Sequence, residues 1–101
     1  MGPPGGKPIA IGIPWYTSHT YPDILEMMED GASLPRTFEA WRQRAEATEV
    51  KVESEGTATI RVYIDPEEFL SWCRSHGLRP DAHARGRYAS EVTLNQLRRA
   101  N

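Results

Sequence analysis

Residues 57–64, Thr-Ala-Thr-Ile-Arg-Val-Tyr-Ile, run straight into Asp65-Pro66-Glu67-Glu68, and this junction limits the possible folds more than any other part of the chain. Ile60, Val62 and Ile64 alternate with Thr59, Arg61 and Tyr63, the period-two pattern of a half-buried strand. Asp65 then caps a helix, Pro66 takes its first position, and Glu68 can reach back to the Asp65 amide. Phe69, Trp72, Cys73 and His76 form one helical stripe. Gly77 ends it, and Leu78 is placed to fold back onto Trp72 or Cys73. The other strand candidate is Ile9–Ile13, where isoleucines alternate with Ala10 and Gly12, and Pro14 ends it or puts it at a sheet edge. Helical patterns separate the two strands, so their pairing is expected to be parallel with a right-handed crossover. The fold class is therefore α+β, about four helices packed on a short sheet of two to three strands. At 101 residues this is one small domain, and the nine aromatic residues must supply much of its core. Two strands alone are marginal, so helices must cover them or a second copy must extend the sheet.

The flanking segments complete the organisation. Residues 1–8 are Gly and Pro with one Lys besides Met1 and read as a flexible tail, 9–93 as the domain, and 94–101 as a frayed end. Thr20-x-x-Asp23 opens a helix over about 21–30, with Gly31 in the C′ position. Thr37 caps a second helix, 38–55, whose Phe38, Trp41, Ala45, Thr48 and Val52 fall at spacings of three and four, closed by Gly56. Val50 and Val52 against Ala58–Ile64 could instead form a hairpin. The helix is preferred because its period holds over four turns. Asp81 caps the last helix and lies four residues before Arg85, a supporting ion pair. Ala84, Tyr88 and Val92 form its apolar ridge, which decays after Thr93.

Several classes are excluded. A net charge of −2 does not suit a polycation. One cysteine makes no internal disulfide. The longest apolar stretch, Ile9–Tyr16, is broken by Gly12 and Pro14 and is too short for a bilayer. Met1 leads into Gly and Pro rather than a signal peptide, and Gly6 stands where myristoylation needs Ser or Thr. The expectation is a soluble cytoplasmic chain with no membrane partner.

The run Asp30-Gly31…Leu34-Pro35…Phe38…Trp41…Ala45-Glu46, followed by Arg61-Val62-Tyr63-Ile64-Asp65-Pro66…Phe69…Trp72-Cys73…Gly77-Leu78…Asp81-Ala82…Ala84-Arg85, resembles a group of small uncharacterised bacterial proteins. The resemblance covers most of residues 12–90. It implies a stand-alone bacterial cytoplasmic protein and supports the long helix over 38–55. It carries over no catalytic residue, ligand or partner.

Three constellations bear on function. Trp15, Tyr16 and Tyr21 either cover the core's flank or form a stacking platform for a ligand or base. Cys73 and His76, at i and i+3, could be a thiol and its base, or metal ligands with His83. A free Cys beside Phe69 and Trp72 is more simply a small core residue. Charge is uneven: residues 1–69 carry a net −6 and residues 70–101 a net +4, with every base in the latter an arginine. Arg79, Arg85, Arg87, Arg98 and Arg99 either bind nucleic acid or an acidic partner, or pair internally with the acidic first half. Glu26, Glu29 and Asp30 read as a solvated helix face. No phosphate loop, dinucleotide fingerprint, EF-hand or paired-histidine zinc motif occurs, so no cofactor is indicated. The expected function is a non-catalytic accessory or protein-interaction domain, as a homodimer or with another protein partner. The alternatives are nucleic-acid binding through Arg79–Arg99 and a thiol or metal enzyme at Cys73 and His76.

Overall fold

The computed structural model describes residues 10–100; the expected tail at 1–8, and Ile9, lie outside them. Strands β1 (Ala10–Trp15) and β2 (Ala58–Tyr63) pair in parallel, from Ala10 opposite Ala58 to Trp15 opposite Tyr63. Parallel strands need a long crossover. Helix α1 (Tyr21–Met27), a 3-10 turn at Gly31–Ser33 and helix α2 (Phe38–Ser54) supply it, and α3 (Pro66–Ser75) and α4 (Ala82–Ala100) follow β2. The α+β expectation is met by four helices on a two-stranded sheet.

Each face of the sheet meets a helix. A Cβ at Gly12 would stand 2.1 Å from Thr93 Oγ1 and 2.6 Å from the Ala89 carbonyl oxygen, so only glycine lets α4 approach this closely. The other face, expected to be half wet, carries α2. Arg61 donates from Nε and Nη2 to the Glu49 carboxylate at 2.7 and 2.8 Å, and Thr59 donates to Glu53 Oε2 at 2.7 Å. On β2 polar side chains thus tie the strand to the helix, while on β1 Trp15 packs edge-on against Trp41 of α2, 5.0 Å between centroids.

Local signals mostly fold as read. Thr37 Oγ1 accepts from the Ala40 N–H at 3.1 Å, and α2 runs unbroken to Ser54, which removes the hairpin alternative. Gly56 follows at φ 91°. Asp65 accepts from the Glu68 N–H at 3.0 Å, Gly77 has φ 64°, and the Leu78 N–H donates to the Cys73 carbonyl at 2.9 Å, closing α3 as a Schellman motif. The stripe on α3 divides, however. Phe69 and Cys73 are buried, whereas Trp72 is half-buried and His76 exposed beside it.

Other elements differ from expectation. Helix α1 stops at Met27, and Gly31 is no left-handed cap; it opens the 3-10 turn. Glycine is needed there because a Cβ would meet the Leu25 carbonyl oxygen at 2.1 Å. The Thr20 side chain bonds Thr17 Oγ1 instead of capping α1. Asp81 caps α4 through the Ala84 N–H at 2.9 Å, but Arg85 turns away from Asp81 to Asp30. The buried ridge of α4 is Ala84, Arg85, Ala89 and Thr93, with Tyr88 and Val92 only half-buried; Ala89 and Thr93 are small enough for the close approach to Gly12 of β1, and Arg85 is buried in its pair with Asp30. The helix continues past Thr93 to Ala100. Among the described residues no helix is long and apolar enough to cross a membrane.

Candidate functional site

Beside the C-terminal half of β1, between α2 and α4, lies a pocket of about 210 Å³ lined by Ile13, Tyr16, Leu34, Trp41, Arg44 and Arg85, among others. Tyr16 leaves β1 just after Trp15, and its ring is fixed by Trp41 at 4.7 Å and Tyr21 at 5.8 Å between centroids. The residue is 3% exposed, and its hydroxyl, which still touches solvent, has no protein hydrogen-bond partner among the described residues. Burial pushes the phenol up to about 12, against the opposing pull of the Arg85 guanidinium, so the hydroxyl keeps its proton at neutral pH. Tyr21 has a partner: its hydroxyl donates to the Pro35 carbonyl, and burial raises its pKa too.

Arg85, in the first turn of α4, is 7% exposed. Its Nη1 and Nη2 donate to Asp30 Oδ1 and Oδ2 at 2.7 and 2.8 Å. This bidentate pair holds the Asp30 carboxyl below its ordinary range, mainly through the hydrogen bonds from Arg85. Two of the five guanidinium N–H groups are thereby used. Arg44 stands on α2 one turn beyond Trp41, is exposed, and has no carboxylate partner among the described residues. Arg85 and Asp30 cancel in charge, so the lining carries one uncompensated positive charge, from Arg44.

The sequence candidates are thus regrouped. Tyr16, Tyr21 and Arg85 come together, while Trp15, outside the pocket lining, is buried against Trp41 with Arg61 stacked over its ring at 3.9 Å. All three aromatics lie within the core and present no exposed stacking platform. Arg79 faces Glu29 at 3.4 Å, and Arg87 lies 6.0 Å over Trp72. Because Arg85 is buried, these arginines do not join it in one exposed patch. Two of the three acids read as a solvated face are engaged, Glu29 with Arg79 and Asp30 with Arg85. Cys73 is 2% exposed, and burial pushes its thiol pKa up, whereas His76 lies outside the core, stacked on Trp72 at 4.2 Å with Nδ1 2.9 Å from the Trp72 carbonyl. Among the described residues no group of three or more His, Cys, Asp or Glu could hold a metal. Arg44 was not legible as a site residue. Its only signal is a position one turn after a core tryptophan.

A second feature is main-chain. The Ile64 N–H donates to the Trp15 carbonyl at 2.9 Å, so by strand alternation Ile60 and Val62 face β1 and Thr59, Arg61 and Tyr63 face outward. These three have no main-chain hydrogen bond to another element among the described residues. On β1 the outward positions include Pro14, which has no N–H, and Gly12, pressed against α4. The open edge is therefore that of β2. Compared with known proteins, the chain matches no family model, no curated protein and no solved structure.

Proposed function

We propose that the chain is a non-catalytic protein-interaction domain whose partner is a second copy joined along β2. The unpartnered outward N–H and C=O groups of Thr59, Arg61 and Tyr63 carry this reading. A two-fold axis beside β2 would pair them antiparallel and turn two marginal two-stranded sheets into one of four strands. Tyr63, 56% exposed, adds aromatic area beside that edge, and Pro14 blunts the opposite one. Binding of nucleic acid through Arg79–Arg99 is less well supported, because Arg85 is spent on Asp30 and Arg79 faces a carboxylate. A thiol enzyme is less well supported because Cys73 is enclosed in the core.

The test is molar mass by light scattering at micromolar concentration. The expected mass is twice the 11.4 kDa of one chain. Tyr63→Pro removes an outward N–H and leaves the ladder to β1 intact, so it should give a monomer that still melts cooperatively. A strictly monomeric parent at millimolar concentration would refute the reading. A salt-sensitive shift of mixed oligonucleotides would favour the nucleic-acid alternative.

A further inference from the structure

We propose that the pocket between α2 and α4 binds a small monocarboxylate, an acid whose short apolar or aromatic tail packs against Ile13, Leu34 and Trp41 while its carboxylate meets Arg44, Tyr16 and the free N–H groups of Arg85. This goes beyond the pairing of β2, which lies on the other strand. The first support is the Tyr16 hydroxyl. Tyr16 is 3% exposed and lines the pocket, and its hydroxyl, which still touches solvent, has no protein partner among the described residues, so it is free to donate to a ligand there. The phenol keeps its proton at neutral pH, so it can donate to a carboxylate oxygen beside it.

Charge selects the ligand further. The Asp30 carboxylate already neutralises Arg85, at 2.7 Å, which leaves Arg44 as the one uncompensated cation of the lining. One positive charge matches a carboxylate and is too little for a phosphate dianion. Asp30 does a second job here, holding the buried guanidinium in one orientation before any ligand arrives. Size agrees with such a ligand. At about 30 Å³ per water, a cavity of 210 Å³ has room for a molecule on the scale of benzoate.

The experiment is a titration of the full chain, uniformly labelled with 15N, followed by amide chemical shifts, with benzoate, its neutral counterpart benzamide, and inorganic phosphate as probes. Benzoate should give saturable shifts clustered at Tyr16, Trp41, Arg44 and Arg85. Benzamide should give none there, and phosphate weaker ones. Arg44→Gln should weaken benzoate about tenfold or more, the loss of one charge-assisted hydrogen-bonded contact. Tyr16→Phe should weaken it several-fold with a melting temperature equal to or above the parent's, since the hydroxyl it removes holds nothing in the free protein. No saturable shift with benzoate at tens of millimolar, an equal response to benzamide, tighter binding of phosphate, or unchanged affinity in Arg44→Gln would each overturn the proposal.

Discussion

Replacing Asp30 by Ala leaves the Arg85 guanidinium enclosed with no counter-charge. The Arg85 side chain is 8% exposed and that of Asp30 27%, and both carboxylate oxygens are engaged, at 2.7 and 2.8 Å. Breaking a buried pair by removing one partner costs about 3–5 kcal/mol. The partial exposure of Asp30 lets water screen the remaining charge, so the expected loss is about 3 kcal/mol, the lower end of that range. Against a total stability of about 5–15 kcal/mol for a domain of this kind, that is a large share. The assay is urea unfolding at pH 7 followed by tryptophan fluorescence, with the slope unchanged and the midpoint lowered. The pair Asp30→Ala with Arg85→Met should recover much of the loss, because the double variant buries no charge, and the cycle then reports a coupling of about 1–3 kcal/mol. The pH dependence follows from the depressed carboxyl. Asp30 lies below its ordinary 3.8 in the folded chain, so the unfolded chain binds its proton first. The contribution is fully present above that ordinary value and is lost as the pH falls through the folded one, so the parent should lose stability in acid more steeply than Asp30→Ala. A midpoint for Asp30→Ala equivalent to within about 0.5 kcal/mol of the parent, or strict additivity in the cycle, would refute the reasoning.

Trp41, 7% exposed and in ring contact with Trp15 and Tyr16, should cost about 3–5 kcal/mol on truncation to Ala, whereas half-exposed Trp72 should cost clearly less; equal losses in denaturant would contradict the division of the α3 stripe. Asp65→Ala removes the cap on Glu68 and should lose about 0.5–2 kcal/mol, visible as a lower unfolding midpoint, with Pro66 still holding the first turn. Cys73 should react slowly with a thiol reagent in the native state at pH 7 and fast in urea, because burial both shields the thiol and raises its pKa; rapid native labelling would revive the enzyme alternative.

Where an interaction closes within four or five residues, the sequence by itself determined the outcome. Asp65 to the Glu68 N–H, Thr37 to the Ala40 N–H, Asp81 to the Ala84 N–H and the turn at Gly77 are capping events whose partners are set by spacing alone. Periodicity likewise favoured α2 over the hairpin, since four turns of apolar repeat outweigh one strand pair, and the helix runs unbroken to Ser54. Tertiary structure decided whatever depends on which distant groups meet. Asp81 and Asp30 were both open to Arg85, and the partner it takes lies 55 residues away rather than four. Gly31 carries the letter of a helix stop but serves a close approach to Leu25, and Gly12 carries the letter of a strand defect but admits α4. Apolar periodicity pointed to Tyr88 and Val92, yet the gap beside β1 selected Ala89 and Thr93, because how near two elements come is set by side-chain volume on both. Tyr16, Arg44 and Arg85 belong to a loop and two helices, and only the crossover that makes β1 and β2 parallel brings those three around one cavity.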